Sequence, residues 1–371
     1  MKVAVIGANG QVGREVSLFL SVMNVEVVAI SRTELGGIFL ERCGVACRYG
    51  SISDECDVKR LLEGCDIVAD FAHPRDLPYK IREAVSLNIN NIVKFAPAGA
   101  PYVYMSTISA FGMRHEDSKM KNHFLSHTTY AADKRYLERH ALAYRDKRDI
   151  YVLRLSQVHG ELQKVSQQFK DEVMEGDVAL PFHEDTSSYT VFCYSIAEAI
   201  VNICSGKERP GLYTVVSTPY WSWGDVYRYW AAKQGIQVNL LPPAKKTADR
   251  PISRFLRNAA KILAKPVIDL GVKYRMLILN YVFFGFPRFQ EKMQAIHLKR
   301  KAVSEIREGK PVKIRTKFQV GTIPGKTLVS LSDSKLTMQE LTSEVRRIID
   351  TATPRFDEND NAAYERREGN V

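Results

Sequence analysis

The stretch VIGANGQVGREV sets Gly7, Gly10 and Gly13 three residues apart, between an apolar run and a helix start. Glycine alone marks any place where φ is positive or backbones approach closely. The flanks narrow the choice. MKVAVI before it has the apolar, β-branched make-up of a buried strand, and REVSLFLSVMNV after it carries Val16, Leu18, Phe19, Leu20 and Val22 at helical spacing. In a strand–turn–helix, three such glycines make a tight turn, bring bare backbone against a pyrophosphate and let the helix lie close on the strand. Its first amides then face the anion. The turn therefore predicts a βαβ start and a bound dinucleotide.

The pattern continues along the first half. Strand runs MKVAVI, EVVAIS, VACRYG, DIVADF, YVYMST and YVLRLS alternate with helical segments, among them VKRLLEG and KNHFLSHTTYAADKRYLERHALAYR. Such alternation predicts an α/β fold, a Rossmann-like doubly wound parallel sheet. After Ser156 the regularity breaks into a loop-rich stretch to Thr190, followed by a helix at SIAEAIVNICSG, a strand at GLYTVVS and a helix at WGDVYRYWAAKQG. The division expected is a dinucleotide-binding domain over 1–165, to which 189–218 returns. A smaller, mixed α/β C-terminal substrate domain takes 166–188 and 219–350, and 351–371 reads as a disordered tail.

Where the second strand ends, a carboxylate would accept ribose hydroxyls, whereas an arginine pairs with a 2′-phosphate. Here Ser31 and Arg32 occupy the end, with Glu34 two positions on. This favours NADP over NAD. Further along, Tyr130 and Lys134 stand four apart in TTYAADKRYLERH, one above the other on a helix face. An ammonium and a nicotinamide cation near that tyrosine would lower its pKa and let it exchange a proton with an alcohol as hydride moves. Ser106 and Thr107 end the preceding strand, and a hydroxyl there can hold the reacting oxygen.

With these elements in this order the chain resembles the extended short-chain dehydrogenase/reductase family of nucleotide-sugar epimerases, dehydratases and 4-keto-sugar reductases. The resemblance covers most of residues 1–240. It rests on GANGQVG for the family's GxxGxxG, STISAFG for its strand end, YAADK for YxxxK and VLRLSQVHG for the next strand. DSKLTMQEL is similar to its late substrate-domain helix. The resemblance implies that Thr107 is the catalytic hydroxyl, Tyr130 the acid/base, and Lys134 the residue that holds the ribose and tunes Tyr130. It also implies cofactor contacts at Gly7, Asn9, Gly10, Gln11, Val12, Gly13, Ser31, Arg32, Ser51, Ile52, Phe71 and Ala72, and substrate contacts at His73, Ser109 and Gln157. Two positions depart from the pattern: Ser51 replaces an aspartate near the adenine, and His73 a small residue beside the cofactor. A histidine at that place is also an ordinary packing residue. Ile108 and Ser109 follow Thr107 where dehydratases carry carboxylates, which argues against dehydration.

Epimerisation and net keto-sugar reduction stay equally open. The substrate expected is an activated, nucleotide-linked sugar, used in polysaccharide or glycoconjugate precursor synthesis by a homodimer. Net charge is +11, but 19 Lys plus Arg against 5 Asp plus Glu fall between Lys245 and Lys317, so the basic character is local. Over 251–305 these cations are interleaved with large apolar residues, including the run Met276 to Phe286. Residues 251–300 read either as core or dimer interface, or as a surface resting on the inner membrane face, which would make the substrate a lipid-linked sugar or another hydrophobic alcohol or ketone. A non-catalytic dinucleotide-binding module would have no need of Thr107, Tyr130 and Lys134 together. A nucleic-acid binder would use the cations, but they carry no RNA-binding motif, and no nucleic-acid partner is expected. The first strand starts at once, and no apolar run reaches the ~18 to 20 residues that span a bilayer, so a cytoplasmic location is expected. Six cysteines without a CxxC pair predict reduced thiols and no metal site.

Overall fold

Parallel strands buried on both faces have to send alternate side chains into two separate cores, and the computed structural model of this chain does so. It describes residues 1–74, 76–111, 129–180, 183–218, 220–242, 286–288, 290, 292, 296, 326–329 and 335–352. The strands are β1 (Lys2–Ile6), β2 (Glu26–Ser31), β3 (Ala46–Tyr49), β4 (Ile67–Asp70), β5 (Tyr102–Thr107), β6 (Ile150–Leu155), β7 (Gln157–His159), β8 (Asp177–Ala179), β9 (Thr190–Phe192), β10 (Gly211–Val216), β11 (Asn239–Leu241) and β12 (Lys326–Val329). The helices are α1 (Gln11–Val22), α2 (Glu34–Arg42), α3 (Glu55–Leu62), α4 (Pro78–Phe95), α5 (Thr129–Leu142), α6 (Lys164–Val173), α7 (Cys193–Cys204), α8 (Trp223–Lys233) and α9 (Lys335–Ala352).

Eight strands form one parallel sheet in the order β3-β2-β1-β4-β5-β6-β10-β12, while β7 pairs with β9 and β8 with β11. The order reverses between β1 and β4, the switch point where α/β sheets open a crevice beyond their strand ends. Val3, Val5, Val103 and Met105 point into the core shared with α1 and α7; Ala4, Ile6, Tyr102 and Tyr104 point into the one under α3, α4 and α5. The doubly wound sheet expected from the alternation is present.

Beyond Ser156 the chain is more regular than its sequence suggests. The stretch to Thr190 holds β7, α6 and β8, because Ser166, Phe169 and Val173 make a short buried stripe under a polar face. The assignment of 219–350 to a separate substrate domain needs correction at its end. Strand β12 pairs with β10 in the central sheet, and α9 packs on α1 and α7 through Met338, Thr342 and Val345. That stripe, at three- and four-residue spacing, meets the apolar face of α1, so the helix covers the α1–α7 layer of the central sheet. Most of 251–305, and all of 353–371, lie outside the described residues. Among the described residues no helix is long and apolar enough to cross a membrane, and no group of His, Cys, Asp and Glu is arranged to hold a metal ion.

Candidate active site

The end of β1 turns at Gly7 with φ of +72°, the left-handed region that costs a side chain ~1–2 kcal/mol. Space is also closed there. A Cβ on Gly7 would stand 2.7 Å from the Ala72 nitrogen and 2.9 Å from the Phe71 carbonyl carbon; one on Gly13 would stand 2.5 Å from the Gly7 oxygen. The backbones of the turn, of α1 and of the segment after β4 are thus as close as glycine permits. Helix α1 starts without a side-chain cap and without an acidic residue in its first turn, so its first amides keep their donors for an outside acceptor. This bare cradle fits a dinucleotide pyrophosphate, with Gly10, Gln11 and Val12 along it. Asn9 is exposed beside it, its carbonyl accepting from Arg14 Nη2 at 3.0 Å.

At the end of β2, Ser31 is buried and donates to the Thr33 carbonyl at 3.0 Å, and the Thr33 hydroxyl caps α2 at the Gly36 amide. Arg32 is exposed, with no ion pair among the described residues. Ser51 is tied into its own turn: its amide donates to Asp57 Oδ2 at 2.9 Å and its hydroxyl accepts from the Ser53 amide at 3.3 Å. Ile52 is buried, and its carbonyl accepts from Asn91.

Strand β5 decides between its two terminal hydroxyls. Ser106 faces inward and donates to Glu138 Oε1 at 2.5 Å, while Arg154 clamps both oxygens of the same carboxylate at 2.7 and 2.6 Å. That buried network absorbs Ser106. Thr107, on the opposite face, is half-buried at the sheet edge, and its hydroxyl oxygen accepts from the Ser109 amide at 3.3 Å.

Lys134 is buried on α5 and donates to the Met105 carbonyl at 2.8 Å and the Tyr104 hydroxyl at 3.4 Å. Burial lowers its pKa to about 8, against the pull of the Asp70, Glu138 and Asp133 carboxylates. Asp70, at the end of β4, is held by the Tyr102 hydroxyl at 2.8 Å and the Ala72 amide at 2.9 Å, with burial pushing its carboxyl up. Asp70 and Tyr104 escape a sequence reading; the one signal is a carboxylate ending the apolar run IVAD.

Tyr130 sits in the first turn of α5, 43% exposed, with the His73 ring edge-on at 5.2 Å. The depressed tyrosine pKa expected from Lys134 is not the state of the protein alone. Partial loss of solvent around the side chain raises it, and the Lys134 ammonium, turned to Met105 and Tyr104, does not offset the rise. His73 is kept neutral, its pKa brought down to about 4 by burial and then by Lys134, and its Nδ1 is buried without a hydrogen-bond partner among the described residues. Gln157, on β7, likewise keeps a buried Oε1 without a partner. The structure thus brings the glycine turn, Ala72, His73 and Tyr130 into one line. Ser31, Arg32, Ser51 and Ile52 lie on the β2–β3 side of the same sheet edge.

Comparison with known proteins adds a family. The model of the NAD dependent epimerase/dehydratase family matches residues 3–188. No curated protein sequence matches the chain. Among solved structures, the UDP-N-acetylglucosamine 4-epimerase from Bacillus cereus superposes with a TM-score of 0.53 at 17% identity, over 67% of this chain and 88% of that one. The UDP-N-acetylglucosamine 4-epimerase from Methanobrevibacter ruminantium M1, in complex with UDP-N-acetylmuramic acid, gives 0.51 at 17% identity, over 67% and 86%. At that identity the likeness is one of fold.

Proposed function

The chain belongs to the NAD dependent epimerase/dehydratase family, and from that premise we propose that it is a nicotinamide-dinucleotide-dependent enzyme modifying an activated sugar through Thr107, Tyr130 and Lys134. The observation that carries this is one run of contacts: Gly7 backs onto Ala72, and the next residue, His73, lies against Tyr130. A cofactor cradle and an acid/base thus share one wall of the crevice.

A bound dinucleotide supplies or accepts the hydride. Tyr130 gives its phenolic proton to the substrate oxygen in the reducing direction and takes it back in the oxidising one. Thr107 donates to the same oxygen and fixes its place. Lys134 has three donors, two of them engaged by Met105 and Tyr104, which leaves one for the ribose. The substrate is a nucleoside diphosphate sugar, a reading supported by the family and by the UDP-sugar substrates for which the two epimerases of like fold are named. Incubation with a panel of nucleotide sugars and keto-sugars, followed by NMR, tests it. Deuterium transfer from labelled NADPH with stoichiometric NADP identifies a reductase; a new stereoisomer without net cofactor use identifies an epimerase; no change in any sugar overturns the reading.

The dinucleotide is NADP(H), on the strength of exposed Arg32 beside Ser31. Arg32→Ala should weaken NADPH binding about tenfold or more and leave NADH binding as it was, read by fluorescence titration. Equal losses for both would remove the 2′-phosphate role.

Turnover should fall as pH rises through about 8, where Lys134 loses its proton. The sign for folding is opposite. With the folded pKa below the ordinary lysine value, the unfolded chain binds more protons between the two, so stability rises with pH across that window. Activity should therefore fall progressively above about 8, while the Lys134 contribution to thermal stability does not fall across that window. A profile flat to pH 10 would exclude a role for the Lys134 charge.

A further inference from the structure

The second turn of α1 carries a carboxylate that the chemistry above does not use. Glu15 is fully buried. Its Oε1 accepts from the Glu161 amide at 2.7 Å, and its Oε2 from the Leu162 amide at 3.0 Å and Gln163 Nε2 at 2.9 Å. Gln163 Nε2 also donates to the carbonyl of Gln11 at 2.9 Å. A Cβ on Gly160 would stand 2.2 Å from Glu15 Oε1 and 2.5 Å from Oε2. Residues 160–163 are therefore strapped across the N-terminal half of α1, and a side chain at position 160 would displace the Glu15 carboxylate at the crossing.

Both ends of this strap matter. Gln11 is the first residue of α1, at the end of the glycine turn. The strap follows directly on β7, which carries Gln157, whose buried Oε1 has no partner among the described residues, and leads into α6, whose start has no side-chain cap among them. Burying a carboxylate is costly unless its oxygens are saturated with donors. Displacing either segment would leave that charge unpaired, so the two move together.

We propose that Glu15 is a positioning residue that couples the cofactor turn to the Gln157 strand, so that a dinucleotide in the glycine cradle orders residues 157–163. The proposal rests on the dinucleotide-binding reading given above. NADPH, which fixes the first turn of α1, narrows the motions open to the strap through Gln11 and Glu15. A substrate then meets a β7 that is already set.

Hydrogen exchange of the full-length protein, with and without saturating NADPH, tests this without any substrate. In the parent protein NADPH should slow exchange in the 157–163 peptide about tenfold, within the usual range of coupling between sites. In Glu15→Gln, where an amide faces the backbone donors, NADPH should still protect the glycine turn, but the added protection of 157–163 should fall below about twofold. Gln163→Ala, which keeps Glu15 with its two backbone donors but cuts the link to Gln11, should give an intermediate value and carries the test if Glu15→Gln does not fold. A merely structural role would speed exchange equally with and without NADPH. Protection of 157–163 by NADPH that survives in both variants, or that is absent from the parent protein while the glycine turn is protected, would overturn the coupling alone. Failure of the parent to bind NADPH or NADH at all would remove the dinucleotide reading, and the coupling with it.

Discussion

Tyr130→Phe is expected to lower turnover about 10²- to 10⁴-fold while leaving the affinity for NADPH within about twofold of the parent. The change removes one oxygen from a ring that stays 43% exposed at the start of α5, and it leaves the His73 contact in place. Loss of that oxygen deletes the proton transfer and little of the ground-state binding, so the effect belongs in kcat rather than in cofactor affinity. Lys134→Met should behave differently. It removes the donors to Met105 and Tyr104 and leaves the neighbouring Asp70 carboxylate without its nearby positive charge, so both turnover and cofactor binding should suffer. Turnover in the Tyr130→Phe protein within about tenfold of the parent would sink the assignment of Tyr130 as acid/base, whatever the cofactor data show.

Gly7→Ala should abolish detectable dinucleotide binding and lower stability by more than the ~1–2 kcal/mol that a left-handed backbone costs an alanine. Its methyl would meet backbone atoms of Phe71 and Ala72 that cannot swing aside, which opens the very contact that aligns the cradle with His73 and Tyr130. Gly44 provides the control. It has a similar φ of +79°, but among the described residues no atom lies within 4 Å of a Cβ placed there. Gly44→Ala should therefore show the conformational cost alone and bind NADPH as the parent does. Thermal melts and fluorescence titrations on the pair separate strain from cradle geometry. Equal destabilisation and equal retention of binding in both would mean that the close approach at Gly7 has no bearing on the cofactor.

The parts of this protein that were legible in its sequence are those governed by local repetition. Buried strands and amphipathic helices impose periods of two and 3.6 on neighbouring residues, so the βαβ alternation from Lys2 to Leu155 and the glycine turn could be read directly. The four-residue step from Tyr130 to Lys134 was legible for the same reason. Pairings between distant segments leave no such trace. Ser106 and Thr107 look equivalent in the string, and only the packing of Glu138 and Arg154 against β5 takes Ser106 out of the site. The same holds for Lys134, turned to Met105 rather than to Tyr130, and for α9, whose apolar stripe could have covered any layer until the sheet placed α1 beneath it. Glu15 is the extreme case: its donors lie some 146 residues along the chain, in a stretch that reads as loop. What the sequence alone determined was the alternation of strands, turns and helices from Lys2 to Leu155, because that depends on neighbours. Which hydroxyl, carboxylate and ammonium meet at the sheet edge was decided by tertiary structure, since a buried polar group takes its role from whichever partners the packing brings within about 3 Å.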